Sequence, residues 1–193
     1  MATAATLAQR QRTIGEGSSM GCNNLVEQLD EVRTNPGNRA MLGEFGEAVA
    51  EVFLNEVLGH EVVFDAATRS GPQGIDLVTF DGERIVVVEV KATASGRSLG
   101  PRMTSTTTTR QMSDEWAGGG GRPAAANIDQ VTVADVAEHY VDKMVVHVDV
   151  QQDRVAIHDV DSAGRVTREA HTTIGLSDLV RFVDAINADA GHR

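Results

Sequence analysis

A chain of 193 residues, 41% of them hydrophobic, can bury the core of one domain with a short extension, and no apolar run approaches the roughly eighteen residues of a membrane span. Cys22 is the only cysteine, which excludes an intrachain disulfide and is compatible with a reducing compartment. The formal net charge of −11 weighs against indiscriminate phosphate binding, and the short uncharged start before Arg10 has no signal-peptide pattern, so a cytoplasmic protein without membrane contact is expected.

Residues 1–37 read as a polar arm with one helix, Asn24 to Arg33, stopped by Asn35-Pro36-Gly37; residues 38–193 read as a single domain. In the next segment Met41, Leu42, Phe45, Val49, Val52, Phe53 and Leu58 recur at helical spacing, predicting a helix over 40–58 with Asn38 as its cap and Gly59 as its stop. Its other side carries Glu44, Glu47 and Glu51, which by spacing alone is a solvated acidic face. Strands are predicted over 61–66, 75–80 and 83–93, with Asp81-Gly82 closing a tight antiparallel hairpin between the last two.

That hairpin gathers unusual residues. Lys91 is one of only two lysines against fifteen arginines. In a strand, Glu89 and Lys91 point to one face while Val88 and Val90 pack on the other. Pairing with the preceding strand brings Asp76, thirteen residues before Glu89, toward the same point. Two clustered carboxylates suit a hard divalent cation completed by substrate phosphate oxygens, and an adjacent ammonium can act on a bound water or on phosphate charge. An isolated Glu-x-Lys is more often an ion pair at an exposed strand end, so the hairpin context carries the weight.

Gly46-Glu47-Ala48-Val49-Ala50-Glu51-Val52-Phe53-Leu54, Glu61-Val62-Val63-Phe64, Gly74-Ile75-Asp76-Leu77-Val78 and Val87-Val88-Glu89-Val90-Lys91 together resemble the PD-(D/E)xK nuclease superfamily. They are most similar to its Holliday-junction-resolvase-like members and to small bacterial proteins that open with a Gly-Glu helix. The resemblance covers about residues 40–93, and Gln73-Gly74 stands where the name has proline. It implies an α/β fold with a restriction-endonuclease-like core, a central mixed β-sheet flanked by helices. It also implies Mg²⁺ or Mn²⁺ held by Asp76, Glu89 and the Val90 carbonyl, with Glu47 as the supporting helix acid and Lys91 as the catalytic lysine. Arg110-Gln111-Met112-Ser113-Asp114-Glu115-Trp116 is similar to a block in toxin-like members, which implies a site role for Gln111 and equally allows a structural one.

The acid excess is uneven: residues 1–64 carry −5, 65–125 are neutral, and 126–193 carry −6. Between 91 and 125, Lys91, Arg97, Arg102, Arg110 and Arg122 face only Asp114 and Glu115. This stretch, with its runs Thr106 to Thr109 and Gly118 to Gly121, reads as a flexible substrate-facing flap over 94–130, its four arginines set for nucleic acid. Beyond it a helix near Val133 to Val141, strands near Met144 to Val150, Arg154 to Val160 and Arg165 to Ala170, and a final helix Ser177 to Asn187 capped by Ser177 are expected. His147 and His158 would meet across a hairpin; without further ligands at metal spacing they read as cross-strand polar positions.

The expectation is a metal-dependent phosphodiesterase, a nuclease on DNA before RNA, acting alone or as a homodimer. A toxin nuclease acting on DNA or tRNA and held by an immunity protein, and a noncatalytic nucleic-acid-binding subunit, are the alternatives.

Overall fold

The computed structural model describes residues 24–65, 75–94, 111–114 and 141–190. Three helices and six strands are seen, in the order α1 (Leu25–Thr34), α2 (Arg39–Val52), β1 (Glu61–Asp65), β2 (Leu77–Phe80), β3 (Ile85–Thr93), β4 (Val141–Asp149), β5 (Arg154–Asp159), β6 (Thr172–Gly175) and α3 (Leu176–Ala190). The expected flap 94–130 and the helix near 133–141 fall almost wholly outside the described residues.

The strands form one mixed sheet whose spatial order is the order of the chain. All neighbours are antiparallel except β3 and β4, which run parallel over nine paired residues from Ile85↔Val141 to Thr93↔Asp149. Period-two alternation then sorts the side chains. Leu77, Val88, Val90, Val146 and Ile157 share one face and form a single core with Leu29 of α1, Phe45 and Val49 of α2 and Leu179 of α3. The α1 helix is therefore part of the core.

Both helix starts follow from asparagine caps: Asn24 Oδ1 accepts from the Glu27 N–H and Asn38 Oδ1 from the Met41 N–H. The expected helix over 40–58 is one rod whose last turn, Phe53–Val57, widens to π-helical before Gly59 ends it in the left-handed region. The expected hairpin exists, with Phe80 opposite Ile85; the Asp81 carboxylate accepts from the Glu83 and Arg84 N–H groups, so the loop takes four residues and β3 begins at Ile85, two residues late.

Two expectations are corrected. The strand predicted over Arg165 to Ala170 is a turn with one isolated bridge, Val160↔Val166, because Asp161 Oδ1 gathers the Ala163 and Arg165 N–H groups; the strand is β6, Thr172–Gly175. Ser177 is not the cap of α3, which starts one residue earlier. The acceptor comes from across space: Asp153 Oδ1, in the β4–β5 turn, takes the Ser177 N–H at 3.0 Å and its hydroxyl at 2.6 Å. Among the described residues no helix is long and apolar enough to cross a membrane.

Candidate functional site

The face of the sheet away from the helices is where the polar residues collect. Asp76, immediately before β2, would be the next partner of Glu89 beyond the Leu77↔Val88 pair. Instead of extending the ladder it turns its side chain inward, and the Val90 N–H donates to its Oδ2 at 2.7 Å. N–H and C=O of one strand residue point to the same side, so the Val90 carbonyl is directed toward the end of β2 where Asp76 stands.

Glu89 projects beside Asp76 and is 2% exposed. Its Oε1 is ion-paired with Lys91 Nζ, two residues on and on the same face, while Oε2 makes no hydrogen bond. Burial, with the neighbouring charge of Asp76 second, pushes the Glu89 carboxyl up to about 7; Lys91 and a hydrogen bond from the Gln111 side chain oppose the rise. The structure thus brings Asp76, Glu89, Lys91 and Gln111 together. They form a partly buried carboxylate pair with one ammonium beside it and one Glu89 oxygen unengaged, a group whose like charges are relieved by a proton or by a cation.

Glu47 arrives differently. Its neighbour Gly46 sits where an added Cβ would stand 2.7 Å from the Cβ of Ala92 and 3.5 Å from Val90, which fixes α2 against the face opposite Glu89 and Lys91. Glu47 is partly buried on α2. Arg97, Arg102, Arg110 and Arg122 lie outside the described residues, as does Trp116.

The polar face continues onto β4 and β5. His147 is the register partner of Lys91, and its ring centroid is 6.5 Å from that of His158. Both imidazoles are held below their usual pKa, chiefly by burial. Unengaged buried polar atoms occur on Glu89, His147, Asp149, Arg154 and His158, all from β3, β4 and β5 on this one face. Among the described residues no three His, Cys, Asp or Glu side chains converge as a metal cluster, so any cation here would have to rely on Asp76, Glu89 and main-chain or solvent oxygens.

Sequence reading passed over one participant, Lys143. It is the other lysine of the chain, on the same face, ion-paired with Asp114 three residues after Gln111. Its signal was its rarity; its partner could not be found without the β3–β4 register. Comparison with family models, curated proteins and solved structures finds no match to this chain.

Proposed function

We propose that the protein is a divalent-metal-dependent phosphodiesterase, a DNA endonuclease built on a restriction-endonuclease-like version of the mixed sheet. The observation that carries the reading is the buried Glu89 beside Asp76, with the free Glu89 Oε2 and the Lys91 ammonium at one point. Asp76, Glu89 and the Val90 carbonyl are the groups that would hold Mg²⁺ or Mn²⁺, with Glu47 as a supporting acid from the helix side. Such an ion, when bound, supplies Lewis-acid activation of water and charge on the phosphoryl oxygens. Lys91 orients the attacking water and meets the charge that develops on the phosphate. Gln111 steadies the Glu89 carboxylate. The proposed substrate contacts of Arg97, Arg102, Arg110 and Arg122 fit the least acidic third of an otherwise acidic chain.

Supercoiled plasmid, a four-way junction and total tRNA, incubated with and without Mn²⁺, test the activity and its substrate class. Nicking of either DNA that stops in excess EDTA is expected. Cleavage of tRNA alone would favour the toxin reading, which the placement of Gln111 beside Glu89 also suits. Binding of DNA with no cleavage under any metal would favour the noncatalytic subunit. Calorimetry in two buffers of different ionisation heat provides a check without substrate: because Glu89 is partly protonated near neutral pH, Mn²⁺ binding should release a fraction of a proton. Failure to bind Mn²⁺ sinks the proposal.

A further inference from the structure

Both lysines of the chain rise from the same face of the sheet, but they stand in different company. Lys91 meets Glu89. Lys143 lies on β4 opposite Val87, one period-two step before Val145, the register partner of Glu89. Its side chain is only 6% exposed, a depth at which a lysine persists when its charge is engaged. The ammonium is ion-paired with the Asp114 carboxylate and donates to the Asp161 carbonyl at 3.0 Å. Asp114 itself is 68% exposed, so the acid sits at the rim with the base beneath it.

The segment that carries Asp114 is fastened at every residue. The Asp114 N–H donates to the Ser162 carbonyl at 2.9 Å, and Ser113 bridges Ala163. Met112 is completely buried with φ of 63°, a left-handed conformation that a non-glycine residue keeps only where its surroundings hold it. One residue further back is Gln111, whose side chain lies close enough to Glu89 to oppose the rise of its pKa. A phosphate-binding role for Lys143 is disfavoured, since two of its three donors are engaged and its side chain is almost wholly covered.

We propose that Lys143 is a positioning residue: by pinning Asp114 to the sheet it sets the Gln111 amide on Glu89 and so orients the carboxylate assigned above to the metal. The consequence for catalysis rests on that metal-dependent reading; the contact itself does not. The Gln111 side-chain amide resonances, assigned by their loss in Gln111→Ala, report the contact with no metal present. In Lys143→Met they should move to the positions of a free glutamine and exchange faster with solvent. Asp114→Ala, at an exposed position that does not threaten folding, should move them the same way.

Mn²⁺ affinity then closes a double-mutant cycle. Lys143→Met and Gln111→Ala should each weaken it about ten- to a hundredfold, the range for a group that orients a metal ligand. The combined variant should be no weaker than the worse single one, because both remove the same contact. Unmoved Gln111 resonances in Lys143→Met and Asp114→Ala, or losses in affinity that multiply, overturn the assignment. If the wild-type protein binds no Mn²⁺, the metal reading falls, and the resonances still decide whether Lys143 positions Gln111.

Discussion

Glu89 is a carboxylate placed where a carboxylate is least comfortable, and its titration has a measurable consequence. Its folded pKa, about 7, lies above the ordinary value of 4.5, so the fold binds this proton more tightly than the unfolded chain does. The associated stability is fully present below about pH 4.5 and is lost as pH rises through about 7, on the order of 3 kcal/mol for a shift of this size. Urea unfolding of the metal-free protein at pH 5 and pH 8 should show that loss, and Glu89→Gln should remove most of it; equal pH slopes for the two proteins would show that burial does not hold the proton. Asp76→Asn separates charge from structure at the neighbouring site, because the amide oxygen can still accept the Val90 N–H. The variant should fold, and cleavage should fall below detection; retained cleavage would falsify the acid pair as the metal site. Lys91→Arg keeps the charge but not a compact, strongly hydrated ammonium, and a loss of a hundredfold or more in rate is expected if the lysine positions water. These residues were legible in the sequence because they lie within sixteen positions, where strand alternation and one Asp-Gly turn fix their relative placement. Lys143 was not, since Asp114 is 29 positions away and meets it only after the parallel register is set.

At the scale of elements, the fit of α2 to β3 depends on one missing side chain. Gly46→Ala would set a methyl 2.7 Å from the Cβ of Ala92, too close to persist, and neither backbone can give way cheaply. Overpacking of this kind costs about 1–3 kcal/mol. A matching fall in stability, with the Gly46→Ala/Ala92→Gly pair recovering part of it, is the expected result; two independent losses would mean that the helix does not rest there. The start of α3 shows why local signals placed its cap wrongly. Ser177 has the right chemistry for a cap, yet Asp153 brings a stronger acceptor from the distant β4–β5 turn and also ion-pairs with Arg33 of α1 at 3.1 Å. The misplaced strand at 165–170 has the same origin: Asp161 holds the Arg165 N–H, together with that of Ala163 just before it, in a turn where periodicity alone would have begun a strand. Apolar period and glycine punctuation predicted α2, β2, β3 and the β4–β5 hairpin; side chains that capture main-chain donors moved the remaining boundaries.

For the whole molecule, a formal charge of −11 means that any nucleic-acid affinity must come from a local surface. With Arg102 and Arg110 both changed to Ala, DNA binding measured in Ca²⁺ should weaken, and its log–log salt slope should become shallower by up to about two units. An unchanged affinity and slope would move the binding surface elsewhere on the chain. The sheet, too, has a large-scale division. β1 to β3 are consecutive antiparallel neighbours, as are β4 to β6, and the two groups meet in the sheet only along the parallel β3–β4 edge. Asp76, Glu89 and Lys91 belong to the first group; Lys143, His147 and His158 belong to the second. Hairpins between consecutive strands close quickly, whereas joining β3 to β4 must first gather the 47 residues from 94 to 140, and the loop entropy of that closure is spent before any ladder bond forms. The polar face would then be assembled last in time. A refolding chain should regain hairpin structure before the Gln111 amide finds Glu89, and a seam substitution such as Val146→Ala should slow refolding more than an equally destabilising change inside either group.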